Sequence, residues 1–186
     1  MSCSRTYRTY TTMKILIRLA KKGEGAAITE CFRESCVHRC KLCYNKFLCN
    51  NKLDAENLVF NIDKHLSKYN KNRCTVVAVD KDSSKIVGFA TFSGNKFVRT
   101  NHRIDLGWSV NMNYANHGIA TKMVSFLIKE AKKRGFKKLE AEVAVENLPS
   151  IKLAKKLGFE IEGRKKSSLS LEDGKYIDTF MFGKVL

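Results

Sequence analysis

The sequence predicts a single α/β domain of the α+β kind, and three observations carry this prediction. Between residues 102 and 111, apolar and polar side chains alternate as on a strand with one buried face. The period then changes, and apolar residues recur every four positions, as in an amphipathic helix: Ile119, Met123, Leu127 and Ala131. The chain has 186 residues, which is the size of one domain and enough to bury a core without metals or disulfides.

The remaining elements follow from the same two periodicities and from turn residues. Strands are predicted at 14–19, 75–79, 86–92, 139–145, 159–171 and 175–185. Helices are predicted at 23–36, with a further piece near Phe47, at 54–69, and in a short segment that carries Pro149 in its first turn. The predicted order is β-α-α-β-β-β-α-β-α-β-β, with residues 1–13 as a flexible extension ahead of a domain at 14–186.

Charge and hydropathy narrow the choice of function. Lys and Arg number 35 against 18 Asp and Glu, for a net charge of +17. This excess favours anionic partners such as CoA, nucleic acid, ribosomes or acidic lipids, although scattered lysines equally fit solvated faces. No apolar run approaches the roughly 20 residues of a membrane span, so we expect a cytoplasmic protein without a membrane partner. For residues 1–13, a remnant of a targeting segment stays open beside a floppy extension before Met13.

The seven cysteines allow two interpretations. A metal site would use Cys36, His38, Cys40 and Cys43, because the last two have ligand-like spacing. A second CxxC or HxxxH pair is missing. Alternatively, free cysteines act as small hydrophobes on one helical stripe: Ile28, Phe32, Cys36, Cys40, Cys43 and Phe47. We therefore expect no metal, and the odd number of cysteines argues against a disulfide framework.

The junction between strand 102–111 and the following helix has the properties of a phosphate-binding turn. Gly118 and Ala120 are small enough to let the backbone approach a ligand closely. The first N–H groups of a helix lack internal acceptors and lie at the positive end of the helix dipole. A pyrophosphate can therefore sit on the N–H groups of Asn116–Thr121. Taken alone, the same residues equally fit a tight strand–helix connection.

Two motifs change this balance. Ala115-Asn116-His117-Gly118-Ile119-Ala120 resembles the acyl-CoA-binding turn [QR]-x-x-G-x-[GA] of the GNAT acetyltransferases, with Ala115 departing at the first position. Asn147-x-x-Ser150, followed by Lys156-Leu157-Gly158-Phe159-x-x-Glu162-Gly163, resembles the second signature of the family. The resemblance covers residues 14–186, and the last hairpin is similar to bacterial-type members that acetylate amino acids or small amines.

The resemblance implies a mixed, mostly antiparallel sheet of six to seven strands, flanked by about four helices. Its central parallel strands, 102–111 and 138–145, would splay apart and hold the pantetheine arm of acetyl-CoA, the expected co-substrate. The implied contacts to acetyl-CoA come from the strand end, the turn and the next helix: Val110, Met112, Asn116, His117, Gly118, Ile119, Ala120, Thr121, Asn147 and Ser150.

The resemblance also directs the choice of catalytic residues. The attacking amine must lose a proton, and Asp105 is the first candidate to accept it, with Glu142 and a bound water as competitors. His102 and His117 are weaker candidates. Ala154 stands where related enzymes often have a tyrosine that protonates the leaving thiolate. Ser150, Tyr176 or water would then replace it, and Tyr176 could instead line the acceptor pocket together with Trp108.

The leading hypothesis is therefore an acetyl-CoA-dependent N-acetyltransferase that acts on the primary amine of a small molecule or amino acid. One alternative is an enzyme that acetylates protein N-termini, such as those of ribosomal proteins. Another is a non-catalytic acyl-CoA sensor. A specific nucleic-acid partner is not expected, because zinc-finger spacing and RNA-binding aromatic motifs are missing. A homodimer stays open.

Overall fold

The computed structural model describes residues 13–37, 61–66, 70–94, 97–170 and 174–186, and for residues 36 and 37 only the backbone. The expected N-terminal extension, the helical piece near Phe47 and most of the cysteine-rich segment lie outside these residues. The strands are β1 (Ile15–Leu19), β2 (Arg73–Asp80), β3 (Ile86–Gly94), β4 (Arg103–Val110), β5 (Lys138–Ala144), β6 (Glu160–Ser170) and β7 (Tyr176–Val185). The helices are α1 (Gly25–Val37), α2 (Ile119–Lys133) and α3 (Leu148–Lys156), and residues 61–66 are also helical.

All of these strands form one seven-stranded sheet in the order β1-β2-β3-β4-β5-β7-β6. Every neighbouring pair is antiparallel except β4 and β5, which run parallel. A parallel pair needs a crossover connection, and α2 supplies it here. The predicted mixed, mostly antiparallel sheet is confirmed, and the observed elements follow the predicted order.

Helices cover the two faces of this sheet. On one face, Ile104 and Leu106 of β4 join a buried cluster with Met123 and Leu127 of α2, and Ala154 of α3 belongs to the same cluster. On the other face, the rings of Phe32 in α1 and Phe89 in β3 lie 6.0 Å apart. The predicted alternation along β4 is confirmed, because its odd-numbered residues face α1 and its even-numbered residues face α2.

Helix α2 owes its position to one apolar stripe and to its two ends. The stripe is fully buried, and each large apolar side chain in it stabilises the fold by about 1.5–3 kcal/mol relative to an exposed one. Gly118 (φ +72°) precedes the helix and Gly135 (φ +83°) follows it, both in the left-handed region that glycine adopts without strain. The last turn carries Lys132 and Lys133, whose positive charges interact favourably with the negative end of the helix dipole.

The start of α1 is fixed from the helical segment 61–66. The Asp63 carboxylate accepts hydrogen bonds from the N–H groups of Gly23 and Gly25, at 3.2 and 2.9 Å. Two N–H groups near the helix start are thereby satisfied. Within the described part of the chain, no helix is both long and apolar enough to cross a bilayer.

Candidate active site

A wedge-shaped gap opens between the two parallel strands. Strands β4 and β5 pair only at Arg103–Lys138, Ile104–Leu139 and Asp105–Glu140. Beyond these pairs, β4 continues to Val110 paired with β3, and β5 continues to Ala144 paired with β7. The two strands therefore separate toward their carboxyl ends, which confirms the predicted splay.

The wide end of the gap leads into a well-anchored turn. Asn111, which is only 8% exposed, accepts a hydrogen bond from the Asn113 N–H at 2.9 Å through Oδ1. Its Nδ2 donates to the Glu34 carboxylate of α1 at 2.6 Å. A single 3-10 turn, Met112–Tyr114, follows, and the Tyr114 hydroxyl donates to Asp80 at 2.9 Å. These bonds fix the end of β4 both to α1 and to Asp80, the last residue of β2.

The turn then presents a row of backbone donors. Asn116 (φ +64°) and Gly118 (φ +72°) both adopt left-handed conformations. Within the described residues, the N–H groups of residues 116–121 make no backbone hydrogen bond, and Lys122 is the first to bond back, to the Gly118 carbonyl at 3.1 Å. These donors lie at the positive end of α2, so the geometry suits a phosphate group. The His117 Nδ1–H donates to the Ala115 carbonyl at 2.7 Å, so its ring folds back onto the turn.

Helix α3 lies on the same face of the sheet as α2. The Asn147 side chain accepts a hydrogen bond from the Ser150 N–H at 3.1 Å and so caps the helix start. Ser150 is half-buried in the first turn. Ala154, which occupies the position of the expected tyrosine, is buried in the core at 1% exposure. A methyl side chain cannot donate a proton, so Ala154 cannot act as a general acid.

Two carboxylates lie on the opposite face of the sheet from α2 and α3. Asp105 is exposed and belongs to the last pair that joins β4 to β5. Glu142 lies two residues beyond that pair on β5, where the strands have separated. Gly107 occupies the corresponding position on β4, and the space where a Cβ would project from it is empty. Glu142 and Gly107 therefore border the open part of the gap, whereas Asp105 lies at its closed end.

Side chains of β6 and β7 that no sequence motif indicated donate hydrogen bonds to Glu142. Its Oε1 accepts hydrogen bonds from the Ser168 hydroxyl at 2.6 Å and the Thr179 hydroxyl at 2.8 Å. Its Oε2 accepts from the Lys165 ammonium at 3.0 Å. The side chain of Glu142 is 17% exposed. Hydroxyl and ammonium donors on β6 and β7 thus fix this carboxylate at the edge of the gap.

The other predicted residues lie farther from this point. Tyr176 begins β7 and is 67% exposed. Trp108 packs against the core cluster on the α2 face. His102 lies at the closed end of the gap, where its carbonyl accepts hydrogen bonds from Lys137 and Lys138. Among the described residues, no group of three or more His, Cys, Asp or Glu side chains could hold a metal ion.

The fold agrees with the comparisons with known proteins. The sequence matches the Acetyltransferase (GNAT) family over residues 43–159, more than half of the chain, and the chain belongs to this family. It is 32% identical over 111 residues to the L-amino acid N-acetyltransferase AaaT of Escherichia coli strain K12. That match covers 59% of this chain and 66% of AaaT, slightly less than two thirds of the relative.

A second relative matches over a longer stretch. The L-methionine sulfoximine/L-methionine sulfone acetyltransferase of Salmonella typhimurium is 26% identical over 168 residues, which cover 89% of this chain and 91% of that protein.

Two solved structures show the same fold. The GNAT-family acetyltransferase of Streptococcus pneumoniae superposes with a TM-score of 0.79 at 23% identity, covering 93% of this chain and 100% of that one. The phosphinothricin acetyltransferase of Sinorhizobium meliloti, solved in complex with AcCoA, gives 0.77 at 22% identity, with 94% and 89% covered.

Proposed function

We propose that this protein transfers the acetyl group of acetyl-CoA to the primary amine of a small molecule or amino acid. The observation that carries the proposal is the wedge between β4 and β5, which ends at the row of N–H donors in residues 116–121. The activities of the two relatives, both acetyltransferases of amino acids or their analogues, support it.

The proposed binding mode uses the two faces of the sheet separately. The pyrophosphate of acetyl-CoA binds the N–H groups of residues 116–121, and the pantetheine arm runs into the gap past Val110 and Met112. Asn147 and Ser150 border the arm from α3. Because α2 and α3 occupy that face, the acceptor amine reaches the thioester from the α1 face, where Asp105 and Glu142 lie.

The proposed reaction is a direct attack in a ternary complex. The neutral amine forms a C–N bond with the acetyl carbonyl carbon, the C–S bond breaks, and the amine proton passes to a carboxylate. A backbone N–H near Val110 or Met112 stabilises the developing charge on the carbonyl oxygen. The geometry favours Glu142 over Asp105 as the proton acceptor, because Glu142 borders the open part of the gap. The thiolate leaves unaided or with a proton from Ser150, Tyr176 or water.

An assay of free CoA release with a panel of amino acids, polyamines and peptides tests this function. The proposal predicts amine-dependent release of CoA together with an N-acetylated product. An acyl-CoA sensor would bind acetyl-CoA and acetylate none of these amines. An enzyme specific for protein N-termini would acetylate peptides alone. Either result would contradict the proposal.

A further inference from the structure

The lysine that contacts Glu142 reaches it from two strands away. Lys165 belongs to β6, and β7 lies between β6 and β5 in the sheet. Neighbouring strands are roughly 4.8 Å apart, so the long side chain must cross β7 to place its ammonium on the β5 carboxylate. The result is a close pair of opposite charges, 3.0 Å apart, at the edge of the gap. The Lys165 side chain is 46% exposed, so the charge pair lies at the protein surface and not in the core.

An irregularity in β6 directs a second donor to the same carboxylate. Lys165 pairs with Thr179 and Leu169 with Ile177, so four steps on β6 match two on β7. Within this bulge Ser167 has a left-handed backbone (φ +49°), a strained conformation for a residue other than glycine. Bulges are common beside active sites, where they re-aim side chains. Here the bulge directs the Ser168 hydroxyl onto Glu142.

The bulge is itself held in place by Asp178. One oxygen of this carboxylate accepts a hydrogen bond from the Ser167 N–H at 2.8 Å, and the other accepts from Arg164 Nε at 2.7 Å. These bonds lower the pKa of Asp178, chiefly through the Ser167 N–H. A dedicated anchor therefore maintains the strained segment next to Glu142.

We propose that Glu142 and Lys165 together receive a free α-amino acid, with its amino group on Glu142 and its carboxylate on Lys165. This proposal rests on the proposed function and narrows its substrate class. In an α-amino acid the amino and carboxylate groups are attached to one carbon, so they match a charge pair only 3.0 Å apart. When the acceptor binds, its amino group replaces Lys165 as the partner of Glu142. Its carboxylate replaces Glu142 as the partner of Lys165. Ser168 and Thr179 keep Glu142 in place during the exchange.

The same pair selects against the other acceptors. The N-terminal residue of a peptide carries a neutral amide where a free amino acid carries its carboxylate, and a polyamine carries a further cation. When Glu142 binds the amino group of the acceptor, Lys165 loses its carboxylate partner. Neither the neutral amide nor the second cation can take the place of that carboxylate. Sites that pair a charged substrate group discriminate strongly against analogues that lack it.

The test compares an amino acid with its own α-amide. The amino acid with the highest kcat/KM among the twenty is assayed beside its amide, with Lys165→Met, Lys165→Arg and the neighbouring Lys166→Met as variants. We expect the wild type to prefer the acid at least tenfold. Lys165→Met should lower kcat/KM for the acid about ten- to a hundredfold and for the amide less than threefold, as for one charge-assisted hydrogen bond. Lys165→Arg and Lys166→Met should retain the preference.

The outcomes separate this proposal from the proposed function. If Lys165→Met lowers turnover of acid and amide equally, or if polyamines but no amino acids are acetylated, the charge-pair proposal is overturned while the proposed function stands. If no amine is acetylated under any condition, the proposed function fails first.

Discussion

Asp105 of β4 and Glu140 of β5 form the last pair that joins the two parallel strands. Beyond this pair, each strand keeps a hydrogen-bonded neighbour on its outer side only. The facing edges carry backbone N–H and C=O groups that do not bond across the gap, and such groups require partners when a ligand excludes water. The pantetheine arm of the proposed co-substrate contains amide groups that can donate to and accept from such backbone groups.

The first prediction concerns Gly118. Gly118→Ala places a side chain in a left-handed conformation (φ +72°), at a cost of about 1–2 kcal/mol. The turn relaxes and the N–H groups of residues 118–121 lose their alignment. We expect the Kd for acetyl-CoA, measured by isothermal titration calorimetry, to rise tenfold or more, because each hydrogen bond to a charged group contributes about 1.5–3 kcal/mol.

Gly135→Ala is the matched control, because Gly135 has a similar φ (+83°) at the other end of α2. Both variants should lower the melting temperature by a few degrees. Only Gly118→Ala should weaken acetyl-CoA binding. Equal affinities in the two variants would show that the turn does not hold the phosphates.

The second prediction separates the two candidate bases. Glu142→Gln should lower kcat at least a hundredfold and leave the Kd for acetyl-CoA within about threefold, because a general base contributes about 10²–10⁴. Asp105→Asn at the closed end of the gap should have a smaller effect on kcat. The reverse order in steady-state assays would identify Asp105 as the proton acceptor instead.

The third prediction concerns Cys31 and Cys74, the two cysteines whose side chains the structure describes. Burial, aided by the nearby Glu34 carboxylate, raises the pKa of Cys31 to about 12, and burial also raises that of Cys74. Because the thiolate is the reactive form, iodoacetamide at pH 8 should leave both residues unmodified in the folded protein. Peptide mass mapping after labelling, with and without denaturant, measures this directly. Rapid native labelling of Cys31 would contradict the burial of α1 on the sheet.

The fourth prediction concerns the pH dependence of stability. Arg18 donates to Glu24 at 2.9 Å, and this bond is the main reason that the Glu24 pKa lies below its ordinary value of 4.5. A lowered folded-state pKa contributes stability above pH 4.5, and this contribution is lost as pH falls through the folded value. Glu24→Gln should therefore lower the free energy of unfolding by about 1–2 kcal/mol at pH 7, and this difference from the wild type should vanish in acid.

Urea denaturation at pH 7 and at acidic pH measures this difference. Glu30→Gln serves as control, because Glu30 pairs with Arg33 at 3.4 Å on the exposed surface. It should change stability by less than about 0.5 kcal/mol at either pH. An equal effect of the two substitutions at pH 7 would contradict the role of Glu24.

The sequence predicted those features that depend on local periodicity. The apolar stripe of α2 and the turn before it could be predicted, because helical spacing and the position of a glycine are patterns of a few neighbouring residues. The bond between Asn111 and Glu34 joins residues 77 positions apart, and no local pattern signals it. The gap itself is a tertiary feature, and only the family resemblance predicted it.

The β6 bulge is the clearest example of a feature that could not be predicted from the sequence. Residues 160–168 are mostly polar on both faces, so their register is weakly specified by hydrophobic pattern. The sequence therefore predicted a plain hairpin strand and missed Lys165, Ser168 and Thr179. The family resemblance ranked Asp105 above Glu142 as the base, and this ranking stays a prediction. Strand alternation alone does not show where two paired strands separate.

Amide chemical shifts test the central claim most directly. In a ¹⁵N-labelled sample titrated with acetyl-CoA, we expect the largest changes in amide chemical shift at residues 116–121 and at Val110–Met112, which border the wide end of the gap. Residues at its closed end, such as Lys137, should change little. Saturating acetyl-CoA that leaves residues 116–121 unshifted would show that this turn does not bind the co-substrate.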